Sequence, residues 1–179
     1  MKQLLFIFSA ACLFSSNAFA QGAENISKRP SPPAEARRTI KGGAEIAIMY
    51  SQPSVRGRTI GKDLEPMDGK IWRAGANEAT VFSTDKALRV EGKPLPAGMY
   101  AFYTLKKGSS WTLIFNKKFD TWGAYDYEKN KSSDALQVVV KEQQAPAFSE
   151  KLVYAISPDG TVSLSWGPKL VQFKTTTAP

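Results

Sequence analysis

The sequence contains no histidine, and its single cysteine, Cys12, lies in an N-terminal apolar run. The absence of imidazole excludes His-based catalytic triads, imidazole general bases and the usual His-ligated zinc or copper sites. There is also no glycine-rich phosphate loop followed by Lys-Ser/Thr, no cysteine cluster and no serine elbow. We therefore predict no cofactor and no metal site, and any catalysis must depend on Asp, Glu, Lys, Tyr or Ser alone.

The first 20 residues have the pattern of a bacterial secretory signal peptide. Lys2 precedes an apolar run over residues 4–14, and an A-x-A signal ends at Ala20. The run is shorter than the roughly 20 residues that cross a bilayer. We predict cleavage after Ala20, export to the periplasm or the cell exterior, and no transmembrane segment in the mature chain. Cleavage also removes Cys12, so the exported domain has no disulfide.

The remaining chain has the composition of an extended leader followed by one domain. Residues 21–43 are rich in Pro, Gly and charge, and within them "PPAEARRTI" could form one helical turn. Residues 44–175 are long enough for a single domain with its own core. The formal charge of +8 falls to about +7 without Lys2. Outside the cytoplasm, a basic protein meets anionic glycans, wall polymers or lipid head groups more often than nucleic acid.

From Ala44 onwards the chain alternates apolar and polar residues with the period of a β-strand. In "TVSLSWG", for example, Val162, Leu164 and Trp166 share one face. The turn sequences "KKGSS", "LPAG" and "SPDGT" separate such segments at intervals of about ten residues. The pattern predicts an all-β fold: an antiparallel β-sandwich, jelly-roll-like or Greek-key, of about eight or nine strands. Other expected inward-facing residues are Ile46, Ile48, Tyr50, Trp111, Leu113, Phe115, Leu136, Val138, Val140, Leu152, Tyr154 and Ile156.

One expected strand, "GMYAFYTLK" at 98–106, is apolar or aromatic on both faces. A strand of this kind is buried on both sides, so another segment has to cover its second face. We expect the leader or the long loop over residues 51–78 to provide that cover. The alternative is that the second face lines a ligand cleft.

The connection over residues 51–79 is long for a compact β-domain and contains the unusual stretch "KIWRAGANEAT". One interpretation is structural: Arg73 ties loop carbonyls to a carboxylate, Asn77 holds a left-handed turn and Trp72 plugs the end of the core. The carboxylates available for Arg73 are those of Glu65, Asp68 and Glu78. The functional interpretation is that Arg56, Arg58 and Arg73 bind an anion or sugar hydroxyls, with Trp72 as a wall.

A second candidate site is "NKKFDTWGAYDYEKN" at 116–130, where aromatic residues alternate with carboxylates. Trp122 and Tyr125 could form a platform for a sugar ring. The alternative is an edge strand in which Tyr125 and Tyr127 cover the core. Together, the candidate ligand-binding residues are Arg56, Arg58, Trp72, Arg73, Asn77, Glu78, Trp122 and Tyr125.

Three functional hypotheses follow. The first is a non-catalytic binding module for an envelope glycan or another anionic or hydroxyl-rich ligand. The second is a glycosidase-like hydrolase, which requires two loop carboxylates facing one cleft at about 5–10 Å. The third is a structural or assembly partner in the envelope, which predicts an exposed apolar patch and no small-ligand cleft. The sequence identifies no catalytic residues and leaves open whether the protein is an enzyme, with a non-catalytic role favoured. It predicts no nucleic-acid partner and leaves the oligomeric state open.

Several motifs resemble an exported bacterial family, domain of unknown function 2911, found mostly in Bacteroidota. They are "IMYSQPSVRGRTIG", "KIWRAGANEATVFSTD", "VEGKPLPAGMYAFYTL", "WTLIFNK" and "WGAYDY", in that order between about residues 30 and 173. The resemblance implies an exported single domain with an all-β fold, and it implies that the 51–80 loop is a defined feature. The family has no established activity, so the resemblance implies no catalytic or ligand-binding role for any residue.

Overall fold

The computed structural model describes residues 26–178, and most of this chain is in β-strands. The predicted signal peptide, its cleavage site and Cys12 lie outside the described residues. The strands are β1 (Pro33–Thr39), β2 (Glu45–Ser51), β3 (Ile71–Trp72), β4 (Ala76–Thr84), β5 (Leu88–Val90), β6 (Lys93–Leu95), β7 (Gly98–Lys107), β8 (Ser110–Asn116), β9 (Asp134–Ile156) and β10 (Thr161–Thr177). The short helices are two 3₁₀ turns (Ile26–Lys28 and Lys131–Ser133) and α1 (Tyr127–Asn130). None of these helices has the length and apolar character that spanning a bilayer requires.

The strands are antiparallel and follow the order β1-β2-β4-β7-β8-β9-β10-β5-β6, with β3 added beside β7. The predicted all-β sandwich is confirmed. The strand count is higher than the eight or nine expected because β3, β5 and β6 are only two or three residues long. Segments of that length are too short to display an alternation of apolar and polar residues.

Strand β1 lies within the segment that the sequence predicted as an extended leader. It pairs with β2 from Pro33 opposite Ser51 to Thr39 opposite Glu45. The prediction of a helical turn in this segment is therefore wrong. Its residues alternate instead: Ala34 and Ala36 pack against the core, while the charged residues between them face outward. The pairing also satisfies backbone groups that β2 would otherwise expose at the edge of the sheet.

The long strands β9 and β10 carry the sheet into its second layer. The first part of β9 pairs with β8, and its later part pairs with β10 across the "SPDGT" hairpin. The pairing of β9 with β10 shifts register around Gly167, which is typical of a bulge that bends a strand. One buried cluster joins both layers, and it contains every inward-facing residue predicted from the alternation, with Leu136 only partly buried.

Strand β7 is buried on both faces, as predicted. Phe102 faces the main core, whereas Ala101 and Tyr103 belong to a second cluster on the outer face of the sheet. The cover for this second face was predicted wrongly, because it comes mainly from the segment over residues 117–133. Tyr127 from that segment is buried edge-on against Tyr103, with 5.2 Å between the ring centroids. The long loop contributes only Ile71.

The long connection between β2 and β3 is ordered by backbone hydrogen bonds to neighbouring segments. The N–H of Val55 donates to the carbonyl of Glu150, and the N–H of Gly69 donates to the carbonyl of Lys106. Val55 is buried in the core, and Ile60 and Leu64 pack against it. The segment is therefore a folded cap on the sandwich. The part of the predicted loop that follows residue 70 instead forms β3 and the beginning of β4.

Candidate functional site: an outer groove and an arginine-lined cavity

The stretch "KIWRAGANEAT" forms β3, a tight corner and the beginning of β4. Ala74 and Asn77 both have φ near +55°, so the corner depends on two left-handed residues. Trp72 is buried against Trp111 and donates its indole N–H to the carbonyl of Gly75 at 3.0 Å. The predicted structural roles of Trp72 and Asn77 are therefore both observed.

The same corner fixes the segment over residues 29–32, which leads into β1. Asn77 donates through Nδ2 to the carbonyl of Ser31 at 3.1 Å, and Arg56 donates through Nη2 to the carbonyl of Pro30 at 3.4 Å. Arg56 is thus placed at this segment and lines neither of the two concave sites described below. This network holds the N-terminal part of the domain against β2 and β4.

Arg73 does not make the bracing contacts that the sequence suggested. Its Nε is buried without a hydrogen-bond partner, and within residues 26–178 its guanidinium forms no ion pair. The carboxylates expected to bind it are engaged elsewhere: Glu78 pairs with Arg29, while Glu65 and Asp68 accept backbone N–H groups. This part of the structural interpretation is wrong.

Arg73 instead lines a cavity of about 210 Å³, here called the Arg73 cavity, together with Arg58, Glu65, Trp72 and Trp166. Arg58 is exposed, and its guanidinium donates to the backbone carbonyls at positions 54 and 55. Three of the predicted site residues, Arg58, Trp72 and Arg73, are therefore brought together. The others are not part of this cavity.

A larger concavity of about 510 Å³, here called the outer groove, lies on the outer face of β1, β2 and β4. Because side chains alternate along a strand, Ile48 and Tyr50 enter the core and leave Met49 and Ser51 on the outer face. Met49, Ala79 and Val81 give the groove an apolar lining. Its polar lining residues are Arg29, Glu35, Ser51 and Glu78.

Glu78 is the best-connected carboxylate of the outer groove. Its Oε1 lies 2.6 Å from Nη1 of Arg29, and its Oε2 accepts the hydroxyl of Ser51 at 3.2 Å. Burial by itself raises the pKa of Glu78, but the hydrogen bonds from Arg29 and Ser51 and the charge of Arg29 outweigh it, so the net pKa lies below the ordinary value. Glu78 is therefore an ionised hydrogen-bond acceptor at neutral pH.

Trp122 stands beside this ion pair. The guanidinium carbon of Arg29 lies 5.8 Å from the centroid of the Trp122 ring, within range of a cation–π contact. The backbone here is fixed because Ala79 donates to the carbonyl of Thr121, and Gly123 donates to that of Asn77. Trp122 remains 55% exposed, so much of its ring is accessible.

Arg29 is a site residue that sequence reasoning missed. It joins Glu78 from the first predicted group to Trp122 from the second, although it lies 49 positions before Glu78 in the chain. Its local sequence is an ordinary Lys-Arg pair in a segment predicted to be extended, so nothing local distinguishes it.

The segment carrying Trp122 is not the edge strand considered from sequence. It forms turns and then α1, with Tyr125 80% exposed and Tyr127 buried. The hydroxyl of Tyr127 donates to Oδ2 of Asp134 at 2.9 Å. Burial, together with this acceptor, raises the pKa of Tyr127 well above its ordinary value. Tyr127 therefore anchors the segment, whereas the ring of Tyr125 lies over Gly123 and stays largely exposed.

The geometry gives no support to the hydrolase hypothesis. Of the loop carboxylates considered, only Glu78 lines the outer groove, and the second carboxylate there, Glu35, accepts a hydrogen bond from Arg37. A general acid needs a raised pKa, whereas that of Glu78 is lowered. Within residues 26–178, no three acidic side chains converge as a set of metal ligands.

Comparison with known proteins gives a family and nothing more specific. No curated protein and no solved structure matches the chain. Residues 31–175, which make up more than half of the chain, match the family model described as "Protein of unknown function (DUF2911)". The match begins just before β1 and ends within β10, so it includes the outer groove, apart from Arg29, and the Arg73 cavity. The chain therefore belongs to the DUF2911 family.

Proposed function

We propose that this protein is a non-catalytic binding module of the bacterial envelope, and that the outer groove holds a hydroxyl-rich ligand of the glycan class. The observation that carries the proposal is the combination of an apolar groove lining, an ionised Glu78–Arg29 pair and the exposed ring of Trp122 beside that pair. The predicted export signal supports the location, and the charge of about +7 on the exported chain favours its approach to anionic envelope polymers.

A sugar fits the chemistry of this groove. Sugar rings carry apolar C–H faces that pack on aromatic and aliphatic side chains, and hydroxyl edges that need donors and acceptors. Met49 and Val81 supply an apolar surface, while Glu78 accepts and Arg29 donates hydrogen bonds. The volume of about 510 Å³ lies within the roughly 300–1,000 Å³ typical of small-molecule sites.

Tryptophan fluorescence can test this proposal, because Trp72, Trp111 and Trp166 are buried and Trp122 is exposed. The purified protein is titrated with solubilised peptidoglycan fragments and with neutral and acidic oligosaccharides. We expect at least one of them to change the emission of Trp122 in a saturable way. Glu78→Gln should weaken the binding of that ligand. Trp122→Ala should weaken it as well, and because this variant lacks the reporting tryptophan, its affinity is measured by calorimetry.

Phe148→Ala is the matched control. Phe148 is another exposed aromatic residue, 60% accessible on β9, and it lines a different concavity together with Ile60 and Pro168. It should leave the affinity unchanged. Equal affinities of the wild type, Trp122→Ala and Glu78→Gln for every bound glycan, or no binding of any glycan, would overturn the proposal.

A further inference from the structure

We propose that the Arg73 cavity is a second binding site, separate from the outer groove, and that it takes the carboxylate group of a small ligand. The Arg73 cavity and the outer groove share no lining residue. The proposal does not depend on the function assigned to the outer groove.

Arg73 carries a hydrogen-bond donor that the fold leaves unsatisfied. A guanidinium has five N–H groups and no acceptor, and a buried N–H without a partner is costly. The Nε of Arg73 is buried without a partner, and within residues 26–178 no carboxylate pairs with this side chain. The fold therefore maintains an arginine that its own residues do not neutralise, at the wall of a cavity.

The lining of the Arg73 cavity carries a net positive charge. Arg58 also lines the cavity, and its guanidinium donates to the neutral carbonyls of Val55 and Ser54, so no carboxylate of the described residues pairs with its charge. One carboxylate, Glu65, faces the same space, and its Oε2 accepts the N–H of Met67. Two cations and one carboxylate leave a net positive charge that a single anion completes.

The Arg73 cavity is large enough for a small ligand, and two tryptophans form part of its wall. Its volume of about 210 Å³ is far more than the roughly 10–15 Å³ that one water needs. Trp72 and Trp166 use their indole N–H groups on the carbonyls of Gly75 and Glu65, so they contribute mainly apolar surface to the lining. An ion pair beside these two indole rings is less screened by water than one on the open surface.

These features select a carboxylate among anions. The edge of a guanidinium matches a planar carboxylate with two parallel hydrogen bonds. Glu65 in the same lining leaves one net positive charge beside the two arginines, which a singly charged carboxylate neutralises and a doubly charged phosphate exceeds. The backbone of Arg73 is also fixed, because its carbonyl accepts the N–H of Thr80 at 3.1 Å. The donor group therefore stands on a rigid corner, which reduces the ordering that binding requires.

Calorimetry of the purified protein at low chloride tests the proposal with acetate and glucuronate as probes. We expect saturable binding, with glucuronate tighter than acetate if the natural carboxylate is attached to a sugar and the reverse if it is a small free acid. Arg73→Met should weaken the preferred probe at least tenfold. Arg73→Lys should weaken it less, because the charge stays while the planar fork is lost.

Glu65→Gln should increase the affinity for the carboxylate probe, because it removes the one negative charge of the lining. Phe148→Ala, which lies outside the lining of both concave sites, should leave carboxylate affinity unchanged. Acetate has no sugar ring, so its binding separates a failure of the glycan proposal from a failure of this one. Glu65→Gln and Arg73→Lys also keep the test valid if Arg73→Met folds poorly. The proposal is overturned if neither probe binds, if Arg73→Met binds as the wild type does, or if phosphate and chloride compete equally, which indicates an adventitious ion only.

Discussion

Nη1 of Arg29 lies 2.6 Å from Oε1 of Glu78 and joins the segment before β1 to the start of β4. The arginine side chain is mostly covered, whereas half of the glutamate side chain remains exposed. The pair therefore combines two properties. It holds the N-terminal segment on the sheet, and it presents an accessible carboxylate at the outer groove.

The Arg29–Glu78 pair predicts a pH-dependent contribution to stability. The folded-state pKa of Glu78 is below its ordinary value of 4.5, so the contribution is present above pH 4.5 and is lost as the pH falls through the folded-state pKa. We expect Glu78→Gln to lower the unfolding midpoint at pH 7 by an amount corresponding to roughly 0.2–1 kcal/mol, because the carboxylate is half exposed. The midpoints of the two proteins should converge as the pH falls below the folded-state pKa of Glu78.

Asp120→Asn is the control for this experiment. Asp120 is exposed, and within residues 26–178 its side chain forms no ion pair. Its midpoint should follow that of the wild type at every pH. A difference between the wild type and Glu78→Gln that stays constant from pH 7 to pH 3 would contradict the prediction.

Asn77 and Arg73 lie four residues apart but should differ in their effect on stability. Asn77→Ala loses the bond to Ser31 and places alanine at a φ of +55°, so we expect a loss of roughly 1–3 kcal/mol. In a domain of this size that lowers the midpoint by about 3–10 °C. Arg73→Met removes an unsatisfied buried donor and should leave the midpoint unchanged or raised.

Asn77→Gly separates the two causes at that position. Glycine accepts the left-handed backbone but cannot bond to Ser31, so its midpoint should fall between those of the wild type and Asn77→Ala. Thermal unfolding followed by circular dichroism measures all four proteins. A large drop in the unfolding midpoint of Arg73→Met would show that Arg73 stabilises the fold, although its Nε has no hydrogen-bond partner.

Tyr127 and Tyr125 form a matched pair in the segment that covers the outer face of β7. Tyr127→Ala removes a buried ring from the second cluster and should cost roughly 2–5 kcal/mol. Tyr125→Ala removes a ring that is 80% exposed and should change stability by less than about 0.5 kcal/mol. Urea unfolding with a common slope gives both values. Similar losses for the two variants would mean that this segment does not pack as described.

The core could be predicted from sequence because each long strand buries one face. In "TVSLSWG" and "WTLIFNK" every second residue is apolar, and those residues lie in the core. The left-handed Asn77 and the buried Trp72 were also predictable, since both depend on local residue chemistry. The short strands were not, because two or three residues cannot display a period.

The partners of the polar site residues could not be predicted, because they are distant in sequence. Glu78 was considered as a partner of Arg73 and pairs with Arg29 instead. Arg73 had three candidate carboxylates, and the structure gives it none of them. Tyr127, and not the long loop, provides most of the cover for β7.

The sequence by itself determined an all-β architecture without histidine, with alternating core faces and a left-handed corner in "KIWRAGANEAT". These properties follow from composition, period and local backbone preference, which act over a few residues. Only the tertiary structure decided that Arg29 and Glu78 line one groove with Trp122 beside them, while Arg58 and Arg73 line a separate cavity. Such pairings depend on which strand edges and loops the folded sheet places side by side, and no local pattern records that placement.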